Sequence, residues 1–141
     1  MELSELNRVW SQIYFYLRYD YNEDITHRGV RILQQVKNGE YVTIKEISEK
    51  LQISHNTASE HVSRLIKKGY IQKERDNKDR RKTVLSLTPK GSEVLVKHTC
   101  LDESKLDKIF SLLSKEEQNM IMSSLKLLEQ KGRDIHENRI G

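Results

Sequence analysis

The most constraining stretch of this chain is residues 43–88, TIKEISEKLQISHNTASEHVSRLIKKGYIQKERDNKDRRKTVLSLT. Thr43 stands where a helix cap is needed, and Glu46 three residues later completes a capping box. Ile44, Ile47 and Leu51 follow on one helical stripe. Gln52 and Ile53 fill a short turn, with Ile53 set to plug the core between two helices. Ser54 caps the second helix, whose apolar residues Ala58, Val62, Leu65 and Ile66 share one face. That leaves His55, Asn56, Thr57, Ser59, Glu60, Ser63 and Arg64 for the other faces. Gly69 suits a left-handed C-terminal cap. Two short helices with a tight turn predict a helix-turn-helix, whose second helix enters the DNA major groove.

The sequence after Gly69 narrows the reading. Residues 70–75 and 83–87 read as two strands, and 76–82 as a polar hairpin tip carrying four cations and two acids. A charge run is commonly just a solvated face. Directly after a helix-turn-helix, the same run reads as a wing that touches DNA.

Charge agrees with that placement. The net charge of the whole chain is +4. Residues 40–90 hold 12 Lys/Arg against 7 Asp/Glu, a net +5, so the rest of the chain is slightly acidic. Residues 61–90 alone reach +7. A surface meant for phosphates needs this footprint; a protein-binding scaffold does not.

The helix "EISEKLQIS", the helix "NTASEHVSRLIKKGYI", the tip "DNKDRR" and the exit "LSLTPKG" resemble the MarR family of winged-helix transcription regulators. The resemblance is strong over residues 40–91. It implies a mainly α fold with a small β-hairpin wing: a winged helix-turn-helix DNA-binding lobe plus a helical dimerisation lobe. It implies that the first half of the second helix sits in the groove. It also implies that Asp79 braces the wing while Arg81 enters the minor groove, and that the terminal helices interlock with a second copy.

The flanks are consistent with this. Residues 2–19 predict a first helix, with Leu3, Leu6, Trp10, Ile13 and Leu17 close to a heptad seam. Thr26 opens a second helix that Asn38-Gly39 stops. Tyr41 and Val42 read as a short extended piece, a third strand beside the wing. Thr88-Pro89 opens a long helix reaching Phe110, with a bend or fray near Thr99-Cys100. Ser114 and Glu117 form a second capping box before a last helix, and a loose tail is expected from about His136. The chain therefore reads as one domain, 1–141: N-terminal dimerisation and support helices at 2–38, the winged helix-turn-helix at 40–88 and C-terminal dimerisation helices at 89–136.

The candidate DNA contacts on the recognition helix are His55, Asn56, Thr57, Ser59 and Arg64. Asn reads adenine in bidentate fashion and Thr can touch a thymine methyl. On the wing the candidates are Lys78, Asp79, Arg80, Arg81 and Lys82. Arg81 is suited to a narrow minor groove, and Lys78, Arg80 and Lys82 to backbone phosphates. Tyr14, Tyr16, Tyr19 and Tyr21 crowd into eight residues and admit two readings. One is half-buried packing with hydroxyls reaching water. The other is the lining of a small-molecule effector pocket.

Other chemistry finds little support. Cys100 is the single cysteine, so no internal disulfide is expected and a reducing cytoplasm fits. Some members of the family sense oxidants through a cysteine in the first helix; this chain has none there, and Cys100 reads as a packed thiol. His27, His55, His61, His98 and His136 form no dense ligand set, so neither metal nor cofactor is expected. No signal-peptide pattern, membrane-length apolar run or enzyme motif is present. The expected partners are double-stranded DNA, a second copy of the chain and a small-molecule effector. The expected function is a homodimeric repressor on a near-palindromic operator. The rival readings are a nonspecific architectural DNA binder and a winged-helix protein-interaction module.

Overall fold

The computed structural model describes residues 1–21, 25–79 and 81–140, with the side chains of 139 and 140 outside the description. The chain divides into two compact units, Met1–Leu101 and Asp102–Gly141.

The first unit holds α1 (Leu3–Leu17), α2 (His27–Asn38), α3 (Ile44–Leu51), α4 (His55–Lys67), β1 (Ile71–Arg75), β2 (Thr83–Leu87) and α5 (Pro89–Thr99). The start of each helix from α2 to α5 is set by a hydroxyl. Thr26, Thr43, Ser54 and Thr88 are extended, and each accepts the N–H three residues on. Each bond satisfies one of the four amide donors that a helix start leaves without a partner. α4 ends as its sequence predicts. Gly69 adopts φ +83°, the Gly69 N–H reaches the Ile66 carbonyl, and the Tyr70 N–H reaches Leu65. That pair of bonds is a Schellman motif.

One apolar core ties these elements together. Ile32, Leu33 and Val36 of α2 are buried with Ile47 of α3 and Ala58, Val62 and Leu65 of α4. Ile71 and Leu85 come from the hairpin, Val94 and Leu95 from α5, and Val42 and Tyr70 from the connections. Ile53 packs partly buried against this cluster, where the turn was expected to plug it. Gly91 lets α5 lie against the chain: a Cβ there would sit 2.0 Å from the Tyr70 carbonyl oxygen. α1 contrasts with the rest, because it has no buried residue.

The hairpin is antiparallel, with Ile71 opposite Leu87, Lys73 opposite Leu85 and Arg75 opposite Thr83. The expected third strand at Tyr41-Val42 is not formed. The segment meets β2 through the Leu85 N–H, which donates to the Val42 carbonyl at 2.8 Å, and then turns at once into α3.

The second unit holds α6 (Glu103–Leu112) and α7 (Lys115–Ile140). The long helix expected from Pro89 to Phe110 is therefore two helices. Cys100 turns extended at the end of α5, and Asp102 starts α6 afresh by accepting the Ser104 N–H at 2.9 Å. Cys100 is exposed rather than packed, because it falls at this break instead of on an apolar helix face. Ser114 and Glu117 make both bonds of their capping box, at 2.9 and 3.1 Å. α7 continues as helix to Ile140, through most of the tail expected to be loose, and Arg133 pairs with Glu129 at 3.0 Å one turn apart.

Candidate nucleic-acid interface and ligand cleft

α4 turns its apolar stripe inward and leaves a polar surface outside. His55, Asn56, Glu60, Ser63 and Arg64 are exposed, while Thr57 and Ser59 are half-buried. Thr57 is partly committed to the helix start: its N–H donates to Ser54 Oγ, which in turn donates to Thr57 Oγ1 at 2.8 Å. His61 is half-buried beside this face, and burial pushes its imidazole below the ordinary range, with Arg28 and Arg64 acting in the same direction.

The wing presents Lys78, Arg81 and Lys82 to solvent, with Asp79 half-buried; Arg80 lies outside the described residues. Asp79 accepts both the backbone N–H of Arg81 at 3.0 Å and its Nε at 3.4 Å. The Arg81 side chain is 94% exposed, so this pair is a weak tether.

Asp76, which the sequence reading passed over, makes more bonds than Asp79. It accepts the N–H groups of Lys78 and Asp79 at 3.2 and 3.3 Å and the Tyr41 hydroxyl at 2.6 Å. These bonds hold its carboxyl below the usual carboxylate range, the Tyr41 hydroxyl contributing most. The same contact pushes the Tyr41 phenol up to about 12. An Asp followed by Asn and two further polar residues is a visible turn signal. Tyr41, 35 residues away, gives no local sign of its role.

A cleft of about 600 Å³ opens in the first unit, lined by Tyr14, Arg18, Tyr19, Asp20, Tyr21, Lys97 and His98. Three of the four clustered tyrosines meet here. Tyr16 does not: it is 65% exposed and stacks edge-on against Phe15, because two residues along a helix from Tyr14 is roughly 200° around it. Tyr14 donates to the His98 carbonyl at 2.8 Å, the Tyr21 ring meets His98 edge-on, and Lys97 Nζ lies 4.9 Å from the Tyr21 ring centre. Arg18, Lys97 and His98 went unmentioned in the sequence reading of this cluster. Lys97 and His98 reach the cleft from α5, far from the tyrosines in sequence.

Among the described residues there is no group of three His, Cys, Asp or Glu placed to hold a metal ion, and no helix long and apolar enough to cross a membrane.

Comparison with known proteins extends these observations. Residues 23–82 match the family model described as MarR family. Over 79 residues the chain is 30% identical to the HTH-type transcriptional regulator SarZ of Staphylococcus aureus, covering 56% of this chain and 53% of SarZ. The chain thus spans about half the length of the curated relatives it matches. Among solved structures, it is similar to a transcriptional regulator from Thermotoga maritima at 29% identity and TM-score 0.65, covering 93% and 96% of the two chains. It is also similar to Streptococcus pneumoniae FabT in complex with DNA, at 25% identity and TM-score 0.60, covering 95% and 99%.

Proposed function

We propose that this chain is a winged-helix transcriptional regulator of the MarR family, which its family match and its likeness to SarZ and the Thermotoga maritima regulator support, and that it binds double-stranded DNA sequence-specifically, as a homodimeric repressor whose affinity is set by a small-molecule effector. The observation that carries this reading is the juxtaposition of α4, with His55, Asn56 and Arg64 outward, and a hairpin tip rich in cations in the same compact unit. The FabT complex with DNA supports it from the side of fold.

In this reading His55, Asn56, Thr57, Ser59 and Arg64 meet the major groove, and Arg81 the flanking minor groove. Lys78, Arg80 and Lys82 bind phosphates, and Asp79 orients Arg81. Two copies place their recognition helices about 34–36 Å apart, so the operator is near-palindromic. Large exposed apolar side chains on α1 and α7, Trp10 and Leu128 among them, support the second copy. The cleft of Tyr14, Tyr19 and Tyr21 takes the effector, which shifts the dimer only by binding its two states unequally. A lone cysteine fits work in the cytoplasm.

Selection of genome fragments with purified protein, followed by salt titration on the winner, tests this. A near-palindrome bound far above competitor DNA is the expected result. Equal binding to all fragments would replace the regulator by an architectural binder, and no binding at low salt would replace it by an interaction module.

A further inference from the structure

The wing must be aimed as well as charged, and the contacts that aim it lie outside the hairpin. A two-stranded ribbon is marginal by itself and twists about its base. Here the inner half is held by Ile71 and Leu85, both buried, whereas Gln72, Lys73, Glu74 and Arg75 are all exposed. Apolar packing therefore fades along β1 toward the tip. The pairing of Arg81 with Asp79 cannot supply the missing constraint, because both residues ride on the tip and move with it.

Residues 40–43 supply it. Val42 is 2% exposed, and its carbonyl accepts the Leu85 N–H from β2. Its neighbour Tyr41 stays 42% exposed and donates its hydroxyl to Asp76, the residue that follows β1. One short segment is thus fastened to both sides of the ribbon, at its buried middle and near its tip. Two anchors on different strands fix an angle where one would leave a pivot. The next residue, Thr43, caps α3. The strap therefore refers the wing directly to the helix-turn-helix. A phenol donating to an ionised carboxylate at 2.6 Å is a short, charge-assisted bond, stronger than the neutral kind. Asp76 passes the constraint on, since it also accepts the Lys78 and Asp79 N–H groups at the head of the tip.

We propose that Tyr41 and Asp76 are positioning residues of the wing: their hydrogen bond sets the angle at which Arg81 is presented to DNA, without either residue touching DNA. The proposal rests on the DNA-binding reading above and adds to it residues that act through Arg81.

Tyr41→Phe is the sharp test, because it removes one hydroxyl and keeps the ring. Asp76→Asn also disturbs the turn at Lys78 and Asp79, so it serves as the second variant. Three quantities are measured on the full chain: affinity for the selected operator, hydroxyl-radical footprints on it, and amide exchange over residues 77–82 without DNA. Tyr41→Phe should weaken operator binding roughly fivefold, in keeping with the loss of one hydrogen bond to a charged group that is open to solvent. The minor-groove footprint of the wing should fade while major-groove protection stays. The tip amides should exchange faster. In an Arg81→Ala background the same substitution should cost less than about twofold, because the residue it acts through is gone.

An equal loss in both backgrounds would overturn the proposal, since Tyr41 would then be acting elsewhere. Unchanged tip exchange in Tyr41→Phe would overturn the strap itself. Failure of the wild-type chain to bind any DNA would instead overturn the reading of function, and the exchange data would still decide whether the strap holds the hairpin.

Discussion

Two regions of this chain keep many side chains in water, and they differ in kind. On α1 and α7 the wet residues are large and apolar, such as Leu3, Trp10, Phe15, Met120, Leu127 and Leu128. On α4 and the wing they are polar and cationic, such as Asn56, Arg64, Lys78 and Arg81. An apolar face is costly to leave wet, at roughly 25 cal/mol per Å², and is relieved by any matching apolar face. A cationic face is comfortable in water and gains chiefly where phosphates are held in a line, by releasing their counterions. In the proposed function the first region meets a second copy and the second a nucleic acid. The closed core of α2–α5 and the hairpin needs neither.

The largest expected effect is on that closed core. Ile47→Ala should lower unfolding free energy by about 2–5 kcal/mol, because a fully buried side chain leaves both lost transfer energy and a cavity. Urea denaturation measures it. A loss under about 1 kcal/mol would mean that the core depends on a partner after all, and the comparison would fail.

Next comes the apolar face. Trp10, 50% exposed on a helix with no buried residue, contributes little to the fold of a single chain. Trp10→Ala should leave the spectrum of the folded chain intact while weakening self-association by about 2 kcal/mol, near thirtyfold, as truncation of a central interface aromatic does. Sedimentation equilibrium reads this directly. A wild-type chain that stays monomeric at high concentration would remove the second copy from the account.

The cationic face should respond differently. Arg81→Ala should leave stability within about 0.5 kcal/mol, because the side chain is almost wholly exposed. It should weaken operator binding about tenfold and flatten the log–log salt slope by about 1. Fluorescence anisotropy over a salt series gives both numbers. If affinity fell with the slope unchanged, Arg81 would be acting on wing shape rather than through its charge in the minor groove.

These contrasts also show which parts of the molecule could be read in advance. The caps at Thr43, Ser54, Thr88 and Ser114 were legible because each is a contact of about three residues' span. The turn at Gly69 was legible because few residues tolerate positive φ. The break at Cys100–Asp102 was foreseen only as a bend, since the apolar spacing of Val94, Leu95, Leu101 and Leu106 continues across it. Asp102 was a cap signal that the periodicity masked. The hydrogen bond from Tyr41 to Asp76 and the reach of Lys97 and His98 into the tyrosine cleft were not legible at all. They depend on how elements far apart in sequence come to lie together, which no local pattern encodes.

The smallest effect lies at the border between the closed core and the cationic face. His61 is half-buried on α4, and burial, then Arg28, then Arg64 lower its imidazole from the ordinary value of 6.5, with Glu60 opposing them. As the pH falls through 6.5, the unfolded chain takes up a proton that the folded chain still resists. The unfolded state then binds more protons, so stability declines over that window and levels off once the folded imidazole is also charged. His61→Gln should remove this decline while leaving stability at pH 8 nearly unchanged. Denaturation midpoints at about pH 8 and pH 5, on either side of the free histidine value, check it. Raising salt should shrink the part due to Arg28 and Arg64 and spare the part due to burial, because screening acts on charges and not on desolvation. If His61→Gln left the wild-type pH dependence untouched, His61 would belong electrostatically to solvent, and the border between the two regions would run inside it rather than through it.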